Sequence, residues 1–153
     1  MREILFKGKR IDNGKWVEGY YYKISETTYC FKEDYERKPV PEHHYILQER
    51  MTDWGLPNQM VQIEIDPKTL CQFTGLCDKN GNKIWENDIL MAHLDESYPE
   101  DATYETVEWN VAGWVGHETG SIGRQYLDKF DLEHYEVVGN TFDNPELLQG
   151  SVK

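Results

Sequence analysis

The sequence contains little of three features that would directly indicate a class of protein: cysteine, long apolar runs and an N-terminal signal segment. It has only three cysteines, Cys30, Cys71 and Cys77, and no C-x-x-C pair, which excludes a disulfide framework and a zinc ribbon. Cys71 and Cys77 flank apolar residues, so we expect both to be buried. The apolar runs fall far short of the roughly 20 residues that a membrane-spanning helix needs. Because the N-terminus lacks the apolar segment of a signal peptide, we predict a cytoplasmic protein without membrane contact.

Basic residues are also scarce, and they are unevenly placed. The chain of 153 residues has 16 Lys and Arg against 28 Asp and Glu, for a net charge of −12. Residues 84–123 contain nine acidic residues and no Lys or Arg. Because binding to nucleic acid relies on basic side chains that neutralise phosphates, we expect no direct binding to a duplex. The acidic stretch has two interpretations: a solvated face that maintains solubility, or a decoy that imitates nucleic acid and binds a basic host protein.

Catalytic and metal-binding motifs are missing as well. There is no phosphate-binding glycine loop and no H-E-x-x-H pair. Asp78 begins a segment like a calcium loop, but positions six and twelve hold Lys83 and Ile89 where that loop needs Gly and Glu. Asp53 and Asp66 have the composition of a metal-dependent nuclease, although Pro67 interrupts the strand. We therefore predict no catalytic, metal-binding or cofactor-binding residues, with a carboxylate-dependent hydrolase or nuclease as the remaining enzymatic alternative.

The pattern that is present is one of short strands. Two hairpins are predicted, from Ile4 to Ile24 and from Leu70 to Glu86. The first turns at Asp12-Asn13-Gly14, where the Asn-Gly pair favours a type I′ turn, and the second turns over Asp78–Asn82. Residues 25–59 are less regular, with a short strand expected over 28–31 and a charged surface excursion over 33–38. Short strands separated by glycine-rich turns predict an all-β barrel or roll with few helical turns.

Aromatic residues are the remaining clue to function. Five Trp and ten Tyr exceed what a small core can hide, so some are expected at a binding face. Trp54 lies in a loop-like segment and is the best candidate for an exposed anchor. The predicted interaction surface combines it with the acidic residues Asp95, Glu96, Glu100 and Asp101. We expect a protein partner, with a homo-oligomer as one form of that contact.

Three blocks of the sequence resemble one known family. Residues Gln72–Ile89 resemble the Q-Y-T-G-L-x-D-K-N-G-x-x-I-Y-E-G-D-I signature of the YopX-like proteins of phages and prophages. Arg2–Gly8 resembles the R-E-I-K-F-R opening of that family, and Tyr135–Leu148 resembles its E-V-I-G-N-I-Y-E-N-P-E-L-L tail. Two residues depart from the signature: Cys77 replaces a polar residue, and Asn87 replaces a Gly. Asn tolerates the left-handed conformation better than most residues, so that turn can persist.

The resemblance implies a fold and an origin without implying a reaction. It suggests a β-hairpin or meander lobe over 1–66 and an SH3-like β-barrel lobe over 67–149, with one continuous domain as the alternative. It brings no catalytic residue and no cofactor. We therefore expect an uncharacterised phage or prophage accessory protein in the bacterial cytoplasm, acting without catalysis through protein–protein contact.

Overall fold

The computed structural model describes residues 1–93, 98, 100, 102–128 and 132–149. Its contacts divide the chain into two compact units. The N-terminal unit comprises residues 4–70, and the C-terminal unit comprises residues 71–153 together with 1–3. Among the described residues, no helix combines the length and the apolar character required to cross a bilayer.

The N-terminal unit is an antiparallel sheet of four strands in the order β4-β3-β2-β1. The strands are β1 (Phe6–Lys9), β2 (Trp16–Ser25), β3 (Glu42–Arg50) and β4 (Gln59–Glu64). A helix, α1 (Lys32–Arg37), lies between β2 and β3, and a 3-10 turn (Pro67–Thr69) follows β4. Thus the charged run that we expected to be irregular forms a short helix, and residues 28–31, expected as a strand, are not one.

The turn between β1 and β2 differs in type from our prediction. Gly14 has a positive φ of 70°, but Asn13 does not, and a type I′ turn requires positive φ at both residues. The loop instead closes through bonds from Gly14 N–H to Arg10 C=O and from Arg10 N–H to Lys15 C=O, each 2.9 Å long. This four-residue loop needs only one residue in the left-handed region, which glycine supplies without strain.

The core of the N-terminal unit lies on one face of its sheet. Val17, Ile46, Ile63 and Ile65 are buried there, with Phe6, Tyr21, Val61 and Leu70 packed around them. The chain after β1 meets the end of β4, because Arg10 forms an isolated bridge with Ile65 and Asp66 N–H donates to Lys9 C=O at 2.9 Å. The sheet therefore curls over its core, and side chains on its other face, such as Tyr20 and Ile24, are exposed.

The C-terminal unit has a hairpin and a five-stranded antiparallel sheet in the order β10-β9-β8-β7-β11. The hairpin is β5 (Cys71–Cys77) and β6 (Lys83–Trp85). The sheet strands are β7 (Asp88–His93), β8 (Ala102–Asn110), β9 (Gly113–Glu118), β10 (Arg124–Tyr126) and β11 (Glu136–Asn140). A last helical turn, α2 (Glu146–Gln149), follows. The core is formed by Ile84, Leu90, Val107, Trp114 and Leu132.

The all-β class is confirmed, but the predicted barrel is not closed. Among the described strands, β10 and β11 are the two edges of the five-stranded sheet and do not pair with each other. The strand β10 has only three residues, all of them exposed, and β11 contains a register shift between Val137 and Gly139. Closure requires a complete ladder between the first and last strands, which these short edges do not supply.

Candidate interaction surface

The loop between β3 and β4 carries a concentration of exposed apolar side chains. Trp54 is 93% exposed, Met51 79% and Leu56 58%. A tryptophan side chain is large enough that folded chains usually bury most of it. The structure therefore places the predicted anchor, Trp54, at the tip of a long hairpin with its indole in solvent.

This loop is an ordered turn rather than a free tip. Leu56 N–H donates to Asp53 C=O at 3.1 Å, and Gly55 between them has a φ of 77°, as the third position of a type II turn requires. The hydroxyl of Thr52 donates to Pro57 C=O at 3.0 Å and ties the base of the loop together. Trp54 is thus presented on a defined backbone, which lowers the entropy lost when a partner binds it.

The solvent face of the four-stranded sheet is rich in aromatic rings. Alternate residues of β2 point to this face, and Tyr20 and Ile24 are exposed. Tyr22 stacks on Tyr45 of the neighbouring strand with ring centroids 5.2 Å apart, and its hydroxyl donates to the side chain of Gln62. This face was not predicted, although the three consecutive tyrosines of β2 must place aromatic rings on both faces of the sheet.

His43 lies on the same face and joins three segments of the unit. Its Nδ1 is 2.7 Å from Glu64 Oε1, and its Nε2 is 2.7 Å from Glu26 Oε1. Neutral imidazole has one N–H, so donation to both carboxylates requires the imidazolium form. The bonds to Glu64 and then Glu26 raise the pKa of His43 above its ordinary value, against the opposing effect of desolvation. His44 points to the opposite face, where it bonds the Tyr21 hydroxyl at 2.7 Å.

The acidic part of the predicted surface is described in only one of its four members. Glu100 is exposed, whereas Asp95, Glu96 and Asp101 lie outside the described residues. Elsewhere in the base-free stretch, Glu108 pairs with Arg124 and with His117, each at 3.4 Å. Of the predicted interaction surface, the structure therefore describes Trp54 in the N-terminal unit and Glu100 in the C-terminal unit.

The carboxylate of Asp78, at the centre of the family-like signature, is hydrogen-bonded to backbone N–H groups. The Asp78 carboxylate accepts bonds from the N–H groups of Asn80, Asn82 and Val137 at 2.8 to 3.0 Å. Burial alone would raise the pKa of Asp78, but these bonds outweigh it and lower the pKa below its ordinary value. Because the carboxylate oxygens are used in this way, the hairpin interpretation is supported over the calcium loop.

The residues at the end of the signature also form a turn. Asn87 has a φ of 67°, which confirms that Asn takes the left-handed conformation there. The carboxylate of Asp88 is buried and accepts the Trp85 N–H at 2.9 Å. Glu86 accepts the Gln72 N–H at 3.4 Å, and burial raises its pKa. These side chains organise the reversal between β6 and β7.

The remaining candidates for chemistry are dispersed. Within the residues that the structure describes, no group of three or more His, Cys, Asp or Glu side chains could hold a metal ion. The carboxylate of Asp66 accepts the Lys68 N–H and caps the 3-10 turn, and that of Asp53 accepts the Trp54 N–H. Cys71 is buried as expected, but Cys77 is exposed and that prediction was wrong, since it is the last residue of β5, next to the turn of the β5–β6 hairpin.

Fold and surface together define a small all-β protein with exposed apolar side chains on the β3–β4 loop and on the solvent face of the four-stranded sheet, among other places. The chain belongs to the YopX family: the model of that family, described as YopX protein, matches residues 5–149. Its fold is similar to that of protein EF1440 from Enterococcus faecalis, known from a crystal structure, with a TM-score of 0.54 and 19% identity. That similarity covers 97% of this chain and 99% of the other. No curated protein matches the sequence.

Proposed function

We propose that this protein is a phage or prophage accessory protein that acts in the bacterial cytoplasm by binding other protein chains, and that it catalyses no reaction itself. The observation that supports this function is the Trp54 loop, an ordered turn that holds an indole 93% exposed. The family assignment is consistent with the phage origin.

The free energy gained by burying an aromatic side chain favours a role for this loop in binding a partner. Burying an aromatic side chain of roughly 200 Å² at about 25 cal/mol per Å² contributes about 5 kcal/mol before the costs of association. Tryptophan is accordingly enriched among the residues that dominate protein interfaces. Met51 and Leu56 flank Trp54 on the same loop and enlarge the apolar area that a partner would cover.

The test is quantitative affinity capture from bacteria in which the source phage or prophage is induced. Wild-type protein, Trp54→Ala and Trp109→Ala serve as baits. Trp109 is a matched control because it is 51% exposed, lies in the C-terminal unit and packs edge-to-face on Trp114 at 5.0 Å. We expect the Trp54 substitution to reduce the recovery of a specific partner at least tenfold and the Trp109 substitution to leave it unchanged.

Equal recovery with all three baits would contradict the proposed contact site. Because Trp54 makes few contacts within the unit, the Trp54→Ala variant is expected to keep the wild-type unfolding midpoint, which shows that any lost recovery is not a folding defect.

A second candidate function is the acidic decoy of a basic host protein. It is favoured by the distribution of charge between the units. The C-terminal unit has 17 acidic and six basic residues, for −11, whereas the N-terminal unit has 11 and ten, for −1. A field of one sign over one unit attracts a basic partner and steers its approach.

The decoy function is tested by competition with labelled duplex DNA for a purified basic DNA-binding protein. We expect displacement of the DNA at low salt, and we expect added salt to weaken the competition because the attraction is screened over about 10 Å at 0.1 M ionic strength. Absence of competition at low salt would contradict it.

A further inference from the structure

The strand β4 is an edge of its sheet. It pairs with β3 on one side, and on the other side, among the described residues, the chain after β1 reaches only its last residue, through the bond from Ile11 N–H to Glu64 C=O at 3.2 Å. A cleft of about 300 Å³ opens beside the strand and is lined by residues 10–12, Arg50 and residues 61–64. Within the described part of the chain, the edge from Gln59 to Ile63 therefore has no strand paired to it.

The backbone of this edge faces outward at Met60 and Gln62. The bond from Ile65 N–H to His44 C=O at 2.9 Å directs Ile65 toward β3, and the Glu64 carbonyl points the other way. Since backbone groups of a strand alternate in direction, Gln62 and Met60 share the outward direction of Glu64. In the part of the chain that the structure describes, the outward N–H and C=O groups of these two residues have no hydrogen-bond partner.

The edge also lacks the features that usually prevent strand pairing. Residues 59–63 read Gln-Met-Val-Gln-Ile, with no charge and no proline. Edge strands that must stay single are normally protected by lysines, prolines, bulges or a covering segment. Here Met60 is 53% exposed, and the apolar Trp54 loop adjoins the strand.

We propose that β4 pairs with β4 of a second copy of this chain, antiparallel and about a two-fold axis at Val61. This register sets Met60 opposite Gln62 of the other copy as a hydrogen-bonded pair, and it uses every outward N–H and C=O group of both residues in both copies. Val61 then faces Val61, and Gln59 faces Ile63. No charged residue faces a like charge, which would be unfavourable directly across a strand pair.

A second copy fits this edge better than a charged partner would. Residues 59–63 of the strand are uncharged, and the N-terminal unit has a net charge of −1, so two such units meet with little repulsion. Stable interfaces bury roughly 1,200–2,000 Å², more than five paired residues supply, so the Met60 side chain and the Trp54 loop would contribute the rest. The inference rests on the proposed contact function and names the partner as a second copy.

The experiment is site-specific disulfide formation in the full-length chain. Cys30 and Cys77, which are exposed, are replaced by Ser, and either Val61→Cys or Met60→Cys is added. In the proposed register the two Val61 Cα atoms are about 4.5 Å apart, within the range of a disulfide, whereas the two Met60 Cα atoms are about 8–9 Å apart and out of range. Sedimentation of the Cys30→Ser, Cys77→Ser protein under reducing conditions gives the oligomeric state.

We expect a dimer by sedimentation and, on mild oxidation, crosslinking of the Val61→Cys protein at least tenfold faster than the Met60→Cys protein. A monomer, or equal crosslinking of both variants, would overturn the proposal. If the protein is monomeric while Trp54→Ala still abolishes capture of another protein, the self-pairing is wrong and the proposed contact function stands. If a captured partner protects the Met60 and Gln62 amides from hydrogen exchange in a monomeric complex, the edge binds a different chain and the proposal is likewise wrong.

Discussion

The two Asn-Gly turns of this protein have similar sequences, but their aspartates contribute differently to the stability of the fold. Asp12 is exposed and forms a bidentate pair with Arg10 at 2.7 and 2.9 Å. Asp78 is buried and accepts three backbone N–H groups, one of them from Val137 in β11. The first turn is closed by its own residues, whereas the second is held by a distant strand of its unit. Turn chemistry alone therefore does not decide how much an aspartate stabilises a fold.

The same contrast extends to the two units. In the N-terminal unit the His43 contacts that join strands are partly exposed, and the net charge is −1. In the C-terminal unit buried carboxylates hold backbone N–H groups, and the net charge is −11. The signature-like residues thus stabilise the C-terminal unit, and the exposed Trp54 loop lies in the N-terminal one.

The substitution with the largest expected effect is Asp78→Ala. It removes the acceptor of three N–H groups, and each buried donor left without a partner costs about 1–3 kcal/mol, so we expect a loss of about 3–5 kcal/mol after partial rehydration. Asp12→Ala is the matched control and should change stability little, because an exposed pair is screened by solvent. Urea unfolding at pH 7 measures both. Equal losses of unfolding free energy in the two variants would mean that the two turns do not differ in their contribution to stability.

The next largest effect is expected in the N-terminal unit, at Gly19. A Cβ atom there would lie 2.1 Å from the Leu47 carbonyl oxygen and 2.9 Å from Ile46 Cγ2. Gly19→Ala must therefore shift β2 against β3, and overpacking of this kind costs about 1–3 kcal/mol. Gly14→Ala serves as the control: nothing lies within 4 Å of its Cβ, and the cost is limited to about 1 kcal/mol for the positive φ. Thermal and urea unfolding distinguish the two, and a Gly19→Ala protein as stable as Gly14→Ala would contradict the close approach.

Much of the fold was predictable because local pattern determines it. The alternation of Val61, Ile63 and Ile65 predicts β4, and the Asp78 segment predicts the β5–β6 hairpin. The helix α1 was missed because its residues 32–37 carry no apolar periodicity. The open sheet could not be foreseen either, since closure depends on the register shift in β11 and the length of β10, neither of which leaves a local signal.

The candidate site was predictable only in part, for a similar reason. Trp54 could be selected because Gly55 and Pro57 mark its segment as a loop. The His43 contacts could not, because Glu26 and Glu64 are distant in sequence and meet it only through the pairing of β2, β3 and β4.

A smaller effect is expected from Glu86→Gln in the C-terminal unit. Burial raises the pKa of Glu86, so its charge at neutral pH opposes folding, while an amide oxygen can still accept the Gln72 N–H. A raised carboxyl pKa gives stability that is fully present below the unfolded pKa and is lost as pH rises through the folded pKa. Because Glu86 is partly solvated, we expect Glu86→Gln to gain up to about 1 kcal/mol at pH 7 and nothing near pH 3. Unfolding midpoints at both pH values test this, and a loss at pH 7 would contradict it.

The smallest expected effect is the contribution of His43 to the stability of the N-terminal unit, and this contribution decreases as the pH rises. Its pKa is raised by Glu64 and Glu26, so the stability it contributes is fully present below the ordinary pKa of about 6.5 and is lost as pH rises through the raised value. We expect the unfolding midpoint of the wild type to fall as the pH rises through this value, and we expect the midpoint of the His43→Gln variant not to show this fall. The change is small because the contacts are exposed. Titration of the His43 ring by NMR measures the pKa directly, with His44, which bonds a tyrosine hydroxyl rather than a carboxylate, as the internal comparison. A His43 pKa at or below 6.5 would mean that the ring does not donate to both carboxylates.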